Sequence, residues 1–295
     1  MKSLDRRHAL LALGALLAGC SRLGSPAAPR PPSALPNVSV LPQRLNIPGL
    51  NRERTLRLYL PPSYALQPER RYPVIYMHDG QNLFDDATSY AGEWGVDETL
   101  NELARTHGFE AIVVGIDNGL DKRMNELNPW PHPQFGVGEG EDYVSFIVDV
   151  VKPLIDRDYR TLRDAANTAV IGSSMGGLIS DYAIHRHPGV FGKAGVFSPA
   201  YWTAPEMFRF AAERPLPPGA RVYLYMGGGE GEQMVSNVQR MHSQLNGTLP
   251  AGASSVLRVV PGAPHNEGAW RRELPAALVW LFELQPATAV RPAAG

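Results

Sequence analysis

The residues Gly172-Ser173-Ser174-Met175-Gly176 match G-x-S-x-G in a single frame, which centres the pattern on Ser174. Ser173 is out of frame because Ile171, not glycine, stands two residues before it. A serine on a sharp bend between a strand and a helix presents its hydroxyl, and flanking glycines remove the Cβ atoms that would collide in so tight a turn. The neighbours supply that context. Ala169-Val170-Ile171 reads as a buried strand, and Leu178, Ile179, Tyr182 and Ala183 recur at helical spacing after the turn. The helix offers N-terminal amides and the positive end of its dipole beside a developing negative charge. The chemistry implied is nucleophilic attack by Ser174 on an acyl carbon.

A serine hydroxyl is a weak nucleophile until a base takes its proton, so a histidine must come within reach. His8 belongs to the N-terminal segment, His107 to a helix end, His132 lies between prolines, His185 and His187 close the helix after the elbow, and His242 suits a helix surface. His265 differs. It follows a strand expected over Ser255–Val260 through Pro261-Gly262-Ala263-Pro264 and precedes a final helix expected over Gly268–Leu284. That is the place of the base in a chain order serine, acid, histidine, and the same order asks for a carboxylate after the preceding strand. Arg221–Met226 leads into Gly227-Gly228-Gly229-Glu230-Gly231-Glu232, so Glu230 is the expected acid; Glu232 is the alternative, and a serine–histidine dyad is a third arrangement. The acid would fix the tautomer of His265 and stabilise the imidazolium.

These residues need elements to position them. Ser39–Leu45 and Arg54–Leu60 read as an N-terminal antiparallel hairpin, Val74–Met77 and Ala111–Ile116 as doubly buried strands of a parallel sheet, and Asp97–Arg105 as a helix. Asp142–Asp156 carries apolar residues at helical spacing, with a kink expected at Pro153, and Lys193–Phe197 and Arg221–Met226 are further strands. His78-Asp79-Gly80-Gln81-Asn82 follows Val74–Met77, where a loop lends the second oxyanion-hole amide in sheets that carry such an elbow; Gln81 is the candidate donor, through its main-chain N–H. The side chains of His78 and Asp79 are equally well read as local hydrogen-bonding groups. The long stretch Asp117–Gly140 lies at a strand's carboxyl end, where open α/β sheets bind ligands. From it, Arg123 and Trp130 are candidate pocket residues, as are Trp94, Tyr201 and Trp202 elsewhere; for Arg123, an ion pair with Glu126 is the structural alternative.

At 295 residues and 44% apolar content the chain is long enough for one substantial core. A net charge of −1, from 28 basic and 29 acidic residues, gives no footprint for nucleic acid. The single cysteine excludes an internal disulfide, and His185 and His187 are spaced two apart rather than three or four, so neither a metal nor any other cofactor is expected. That cysteine, Cys20, ends Leu17-Ala18-Gly19-Cys20, after basic residues Lys2, Arg6 and Arg7 and the apolar run Ala9–Ala18. The segment resembles a bacterial lipoprotein signal peptide, which implies cleavage after residue 19, lipidation of Cys20 and tethering to a membrane outside the cytoplasm. Arg6-Arg7 is similar to a twin-arginine export signal, and Ser21 favours the outer membrane if the host is Gram-negative. Residues 20–36, rich in proline, alanine and serine, are expected to form an unpacked linker, 37–284 the catalytic domain, and 285–295 a flexible tail.

Taken together, Tyr76-Met77-His78-Asp79-Gly80-Gln81-Asn82-Leu83-Phe84-Asp85, the Gly172–Gly177 elbow, Phe197-Ser198-Pro199 and His265 resemble the Putative esterase family of α/β hydrolases. This family groups esterase D-like enzymes, enterochelin esterases, feruloyl and acetyl-xylan esterases, and mycolyltransferases. The resemblance implies an α/β-hydrolase fold, with a mostly parallel sheet and helices on both faces. It also implies Ser174 as nucleophile, His265 as base, Glu230 as acid and the amides of Gln81 and Met175 as oxyanion hole. Arg123-Met124-Asn125-Glu126-Leu127 is similar to an R-x-x-E-L element of siderophore esterases. The expected activity is hydrolysis of a small-molecule carboxylic ester. Acyl transfer to an alcohol, or a catalytically silent binding protein on the same scaffold, are the alternatives.

Overall fold

The computed structural model describes residues 30–287, and its compact unit begins at Pro32. Cys20 and the expected signal peptide lie outside the described residues. In chain order the elements are β1 (Val38–Val40), β2 (Leu45–Ile47), β3 (Arg52–Arg54), β4 (Leu56–Tyr59), β5 (Val74–His78), α1 (Val96–His107), β6 (Ile112–Ile116) and α2 (Arg123–Glu126). They continue as α3 (Gly140–Phe146), α4 (Lys152–Asp158), β7 (Thr168–Ser173), α5 (Met175–Arg186), β8 (Lys193–Phe197), α6 (Glu206–Glu213), β9 (Arg221–Gly227), α7 (Glu232–Asn246), β10 (Ser254–Val260) and α8 (Glu267–Leu281).

The main sheet runs β1-β4-β6-β5-β7-β8-β9-β10. β4 pairs antiparallel with both neighbours, and every pairing from β6 to β10 is parallel. Alternation divides the core between the sheet's faces. Val74 and Tyr76 of β5 join one cluster with residues of α3, α5, α6 and α7, whereas Ile75 and Met77 join a second with α1 and α8. Central strands covered on both faces bury every residue, which is why β5, β6, β7 and β8 read as continuous apolar runs.

The N-terminal antiparallel hairpin is present with different bounds from those expected over Ser39–Leu45 and Arg54–Leu60. The strand paired with β4 is Val38–Val40, and Leu45–Ile47 leaves the main sheet to form a separate ribbon with Arg52–Arg54. Leu45, Ile47 and Arg54 of that ribbon are buried, and Leu45 and Ile47 join the core cluster that includes α3. The stretch expected to stay unpacked to Pro36 docks from Ser33 onward. The Ser33 amide and hydroxyl donate to Asp85 (3.1 Å) and Glu93 (2.9 Å), and the Leu35 amide donates to Asp97 (2.9 Å). At the other end the Ala287 amide donates to the Thr106 carbonyl, so the expected tail is still attached there. Pro153, which has no N–H, is accommodated by a π-helical stretch, Ile147–Val151, before α4 starts with the proline in its first turn.

Candidate active site

The strand–elbow–helix geometry centres on Ser174, whose backbone is held at φ 57°, ψ −118° between β7 and α5. This positive φ is strained for a residue with a side chain and is kept only where the surroundings enforce it. They do so through the glycines. A Cβ on Gly172 would stand 2.7 Å from the Gly176 backbone and 2.8 Å from the His78 ring, and one on Gly177 would stand 2.6 Å from the Phe197 carbonyl oxygen. The Ser174 peptide is bracketed as well: its N–H donates to the Phe197 carbonyl (2.9 Å), and its carbonyl accepts from the Ala200 N–H (3.1 Å).

His265 and Glu230 meet as the chain order requires. Nδ1 of His265 lies 2.6 Å from Oε2 of Glu230. An ionised carboxylate only accepts, so Nδ1 is the donor in this contact and Nε2 is left with its lone pair. The other carboxylate oxygen, Oε1, accepts from the Ser198 hydroxyl (2.6 Å) and the Gly227 amide (2.9 Å). Glycines at 227–229 let this loop press against Gly262 and Ala263, just before the histidine; a Cβ on Gly227 would lie 2.3 Å from the Ala263 carbonyl oxygen. His265 in turn enters α8 through Asn266, an N-cap whose side chain accepts from the Ala269 amide at 2.9 Å.

A cavity of about 770 Å³ opens over these groups. Ser174 and His265 line it, together with Gln81, Asn118 and the aromatic residues Trp94, Trp270 and Tyr90. Trp94 and Trp270 stack with centroids 5.7 Å apart, and the Trp270 and His265 rings meet in a T-shaped contact with centroids 5.0 Å apart. Gln81 sits in a 3-10 turn, Gly80–Asn82, made possible because Gly80 lies against the backbone of Gly115 and Asp117. Its side-chain oxygen accepts from the Asn118 amide (3.1 Å). The Met175 N–H heads α5, one of the amides with no intrahelical acceptor.

Of the expected pocket residues, Trp94 and Arg123 line this cavity, whereas Trp130, Tyr201 and Trp202 do not. Trp130 packs edge-on to Tyr182 and Phe210; Tyr201 is buried with its hydroxyl donating to Asp181 (2.7 Å); Trp202 stands at the surface beside His132 and Phe135. The alternative pairing of Arg123 with Glu126 is also corrected. Arg123 binds Asp79 through two hydrogen bonds (2.6 and 2.8 Å), and Glu126 pairs instead with Arg52 and Arg54 of the ribbon. The two side chains, one turn apart, reach different partners: Arg123 lines the cavity, and Glu126 is buried against the ribbon's arginines.

Asp79 also accepts from Asn118 (2.6 Å). Burial alone would raise its carboxyl, but the charge and hydrogen bonds of Arg123, with Asn118, outweigh this and hold it below the usual carboxylate range. Burial pushes His78 down to about 4, so its ring is neutral, with Nδ1 2.8 Å from the Tyr143 hydroxyl. Glu267, also on the cavity wall, is raised, first by burial, with the charge of Asp79 adding to it. Trp270, Glu267 and the cavity role of Asp79 were not visible in the sequence. Glu267 and Trp270 follow His265 by two and five residues, and one turn of α8 brings both back to the site.

The sheet order, the elbow and the loops at the strands' carboxyl ends define an α/β-hydrolase fold. The chain matches the family described as Putative esterase over residues 47–281 and belongs to it: the protein is an esterase, a carboxylic ester hydrolase. It is 30% identical over 246 residues to the uncharacterized protein YbbA of Bacillus subtilis (strain 168), a match covering 78% of this chain and 92% of that one. It is 26% identical over 174 residues to the ferri-bacillibactin esterase BesA of the same organism, covering 52% of this chain and 57% of that one. Among solved structures, the enterobactin esterase FES from Shigella flexneri, in the presence of enterobactin, superposes with a TM-score of 0.69 at 23% identity, covering 85% of this chain and 61% of that one.

Proposed function

We propose that the protein hydrolyses a carboxylic ester through an acyl-enzyme, with Ser174, His265 and Glu230 as catalytic triad. The observation that carries this is the 2.6 Å contact between His265 and Glu230 on the wall of the cavity that Ser174 also faces. His265 Nε2 takes the proton as Ser174 Oγ attacks the ester carbon, and Glu230 holds the ring and balances the imidazolium. The tetrahedral oxygen is received by the main-chain N–H groups of Met175 and Gln81. Collapse breaks the bond to the alcohol, which leaves with the proton from His265; water, deprotonated by the same nitrogen, then releases the acid.

The aromatic side chains of Trp94, Trp270 and Tyr90 beside the polar groups of Gln81 and Asn118 suit an ester carrying a flat aryl group with polar substituents. Relatives named as a ferri-bacillibactin esterase and an endo-1,4-beta-xylanase/feruloyl esterase support an ester of that kind. The work site is outside the cytoplasm, through a lipid on Cys20, a reading that rests on Leu17-Ala18-Gly19-Cys20.

A fluorophosphonate probe tests both parts in cells. The expected result is a label on Ser174, located by mass spectrometry, together with hydrolysis of short-chain aryl esters; Ser174→Ala should abolish both. The labelled protein should sediment with membranes, and Cys20→Ala should release it. A folded wild type that neither labels nor turns over would sink the mechanism, and label that stays soluble regardless of Cys20 would sink the anchor.

A further inference from the structure

Ser198 belongs to no part of the chemistry described so far, yet it is fully buried and sits against the triad acid. Its hydroxyl lies 2.6 Å from Glu230 Oε1 and 3.0 Å from the indole nitrogen of Trp270. An indole N–H can only donate and an ionised carboxylate can only accept. The direction of both bonds is therefore fixed: Trp270 donates to Ser198, and Ser198 donates to Glu230. Each bond polarises the next in the same sense, which strengthens a chain of this kind in a dry interior.

The backbone of the same segment is specialised. Ser198 has φ 44°, in the left-handed region that residues with side chains seldom adopt, and its amide is tied to the Tyr225 carbonyl of β9 (2.8 Å). The residue before it supplies the carbonyl that binds the Ser174 N–H, and Ala200 supplies the N–H that binds the Ser174 carbonyl. Four consecutive residues, Phe197–Ala200, thus hold the nucleophile's peptide on one side and the acid's carboxylate on the other.

Building on the triad proposed above, we infer that Ser198, oriented by Trp270, is the positioning residue that registers Glu230 against the nucleophile. Without it, Oε1 keeps only the Gly227 amide, a single bond about which the carboxylate can swing away from His265. Trp270 also faces the substrate cavity, so the ring that a substrate packs against is the one that starts the chain to the acid.

The test is a kinetic cycle on a short aryl ester with Ser198→Ala, Trp270→Phe and the double variant, beside Glu230→Gln and thermal unfolding of each. Ser198→Ala should lower kcat about 10-fold to 100-fold with KM within about twofold, the signature of an interaction made in the transition state. Trp270→Phe, which keeps a ring but removes the N–H, should lower kcat less, and the double variant should be no worse than Ser198→Ala. The low-field proton resonance of the His265–Glu230 bond should broaden in Ser198→Ala. Wild-type kcat in Ser198→Ala, or multiplicative losses in the double variant, would overturn the inference. If Ser198→Ala does not fold, Trp270→Phe decides alone, since an unchanged kcat there removes the chain. Glu230→Gln separates the two ideas: if it is harmless, the triad itself is wrong, whereas a damaging Glu230→Gln beside a harmless Ser198→Ala refutes only the role of Ser198.

Discussion

At the scale of single residues, the Arg123–Asp79 pair shows why a side chain in a cavity is not necessarily there for the substrate. Both hydrogen-bonding arms of Arg123 are taken by a carboxylate that is almost wholly buried. Removing one partner of such a pair strands the other charge, which costs about 3–5 kcal/mol, more than the pair itself contributes over an apolar replacement. Arg123→Met should therefore lower stability by about 3 kcal/mol at neutral pH, measured by urea unfolding. The pH dependence separates this from lost packing. In the wild type the Asp79 carboxyl is held below its unfolded value, so its contribution is present at neutral pH and is lost as pH falls through the folded value. In Arg123→Met the carboxyl can protonate early, so the gap between the two proteins should close in acid. A gap that stays constant down to pH 3 would mean that Arg123 acts by shape alone. The ion pair with Glu126, offered from the sequence as the structural alternative, does not form, because the partner Arg123 takes, Asp79, is distant along the chain and near only in space.

At the scale of elements, the order of strands and helices was legible because period and burial agree: runs such as Ala169–Ile171 and Ala194–Phe197 are apolar throughout because both faces of the sheet are covered. The candidate triad residues could be picked out for a related reason, since elbow, acid loop and base loop each follow a strand. The β2–β3 ribbon was not, because three-residue strands carry too few residues to show a period. Nor were the walls of the cavity, because an aromatic side chain in a loop does not announce which way it faces; Trp130 and Tyr201 turn inward to the α5 side of the core, away from the cavity. The elbow gives the sharpest expectation at this scale. Gly172→Ala would push a methyl group into backbone at 2.7 Å, which cannot move as a side-chain tip could. Overpacking of this kind costs about 1–3 kcal/mol, and here it also displaces the Ser174 peptide. A clear drop in melting temperature with loss of fluorophosphonate labelling is expected. Gly189→Ala, in the turn after α5 with open space around it, should change stability by no more than about 0.5 kcal/mol. Equal behaviour of the two variants would show that the elbow tolerates a Cβ.

At the scale of the whole molecule, stability in acid should be governed in large part from the carboxyl end of β5, where His78 is enclosed by Tyr143, Asp79, Gly172 and Gly176. Burial lowers its pKa to about 4; the charge of Asp79 opposes this and that of Arg123 reinforces it. An unfolded histidine binds its proton near pH 6.5, so between there and about 4 the unfolded chain holds a proton that the folded chain refuses. Stability must fall as pH falls through that window, by roughly 3 kcal/mol at its lower end. His187, lowered first by burial, acts in the same direction, while Asp97, Asp181 and Glu267, all raised first by burial, act in the opposite one. The total slope is thus a balance, and a difference between proteins isolates His78. His78→Gln loses the titration and weakens the bond to Tyr143, so it should be less stable than wild type at pH 7 yet lose less on going to pH 4.5. Unfolding free energies measured across that range should converge; parallel curves would assign the acid sensitivity to another group. Because the His78 ring lies only 2.8 Å from where a Cβ on Gly172 would stand, the same protonation that destabilises the fold acts where Ser174 is held. Esterase activity should accordingly fall along with stability in the wild type as pH is lowered, and His78→Gln should retain its labelling by fluorophosphonate to a lower pH than the wild type does.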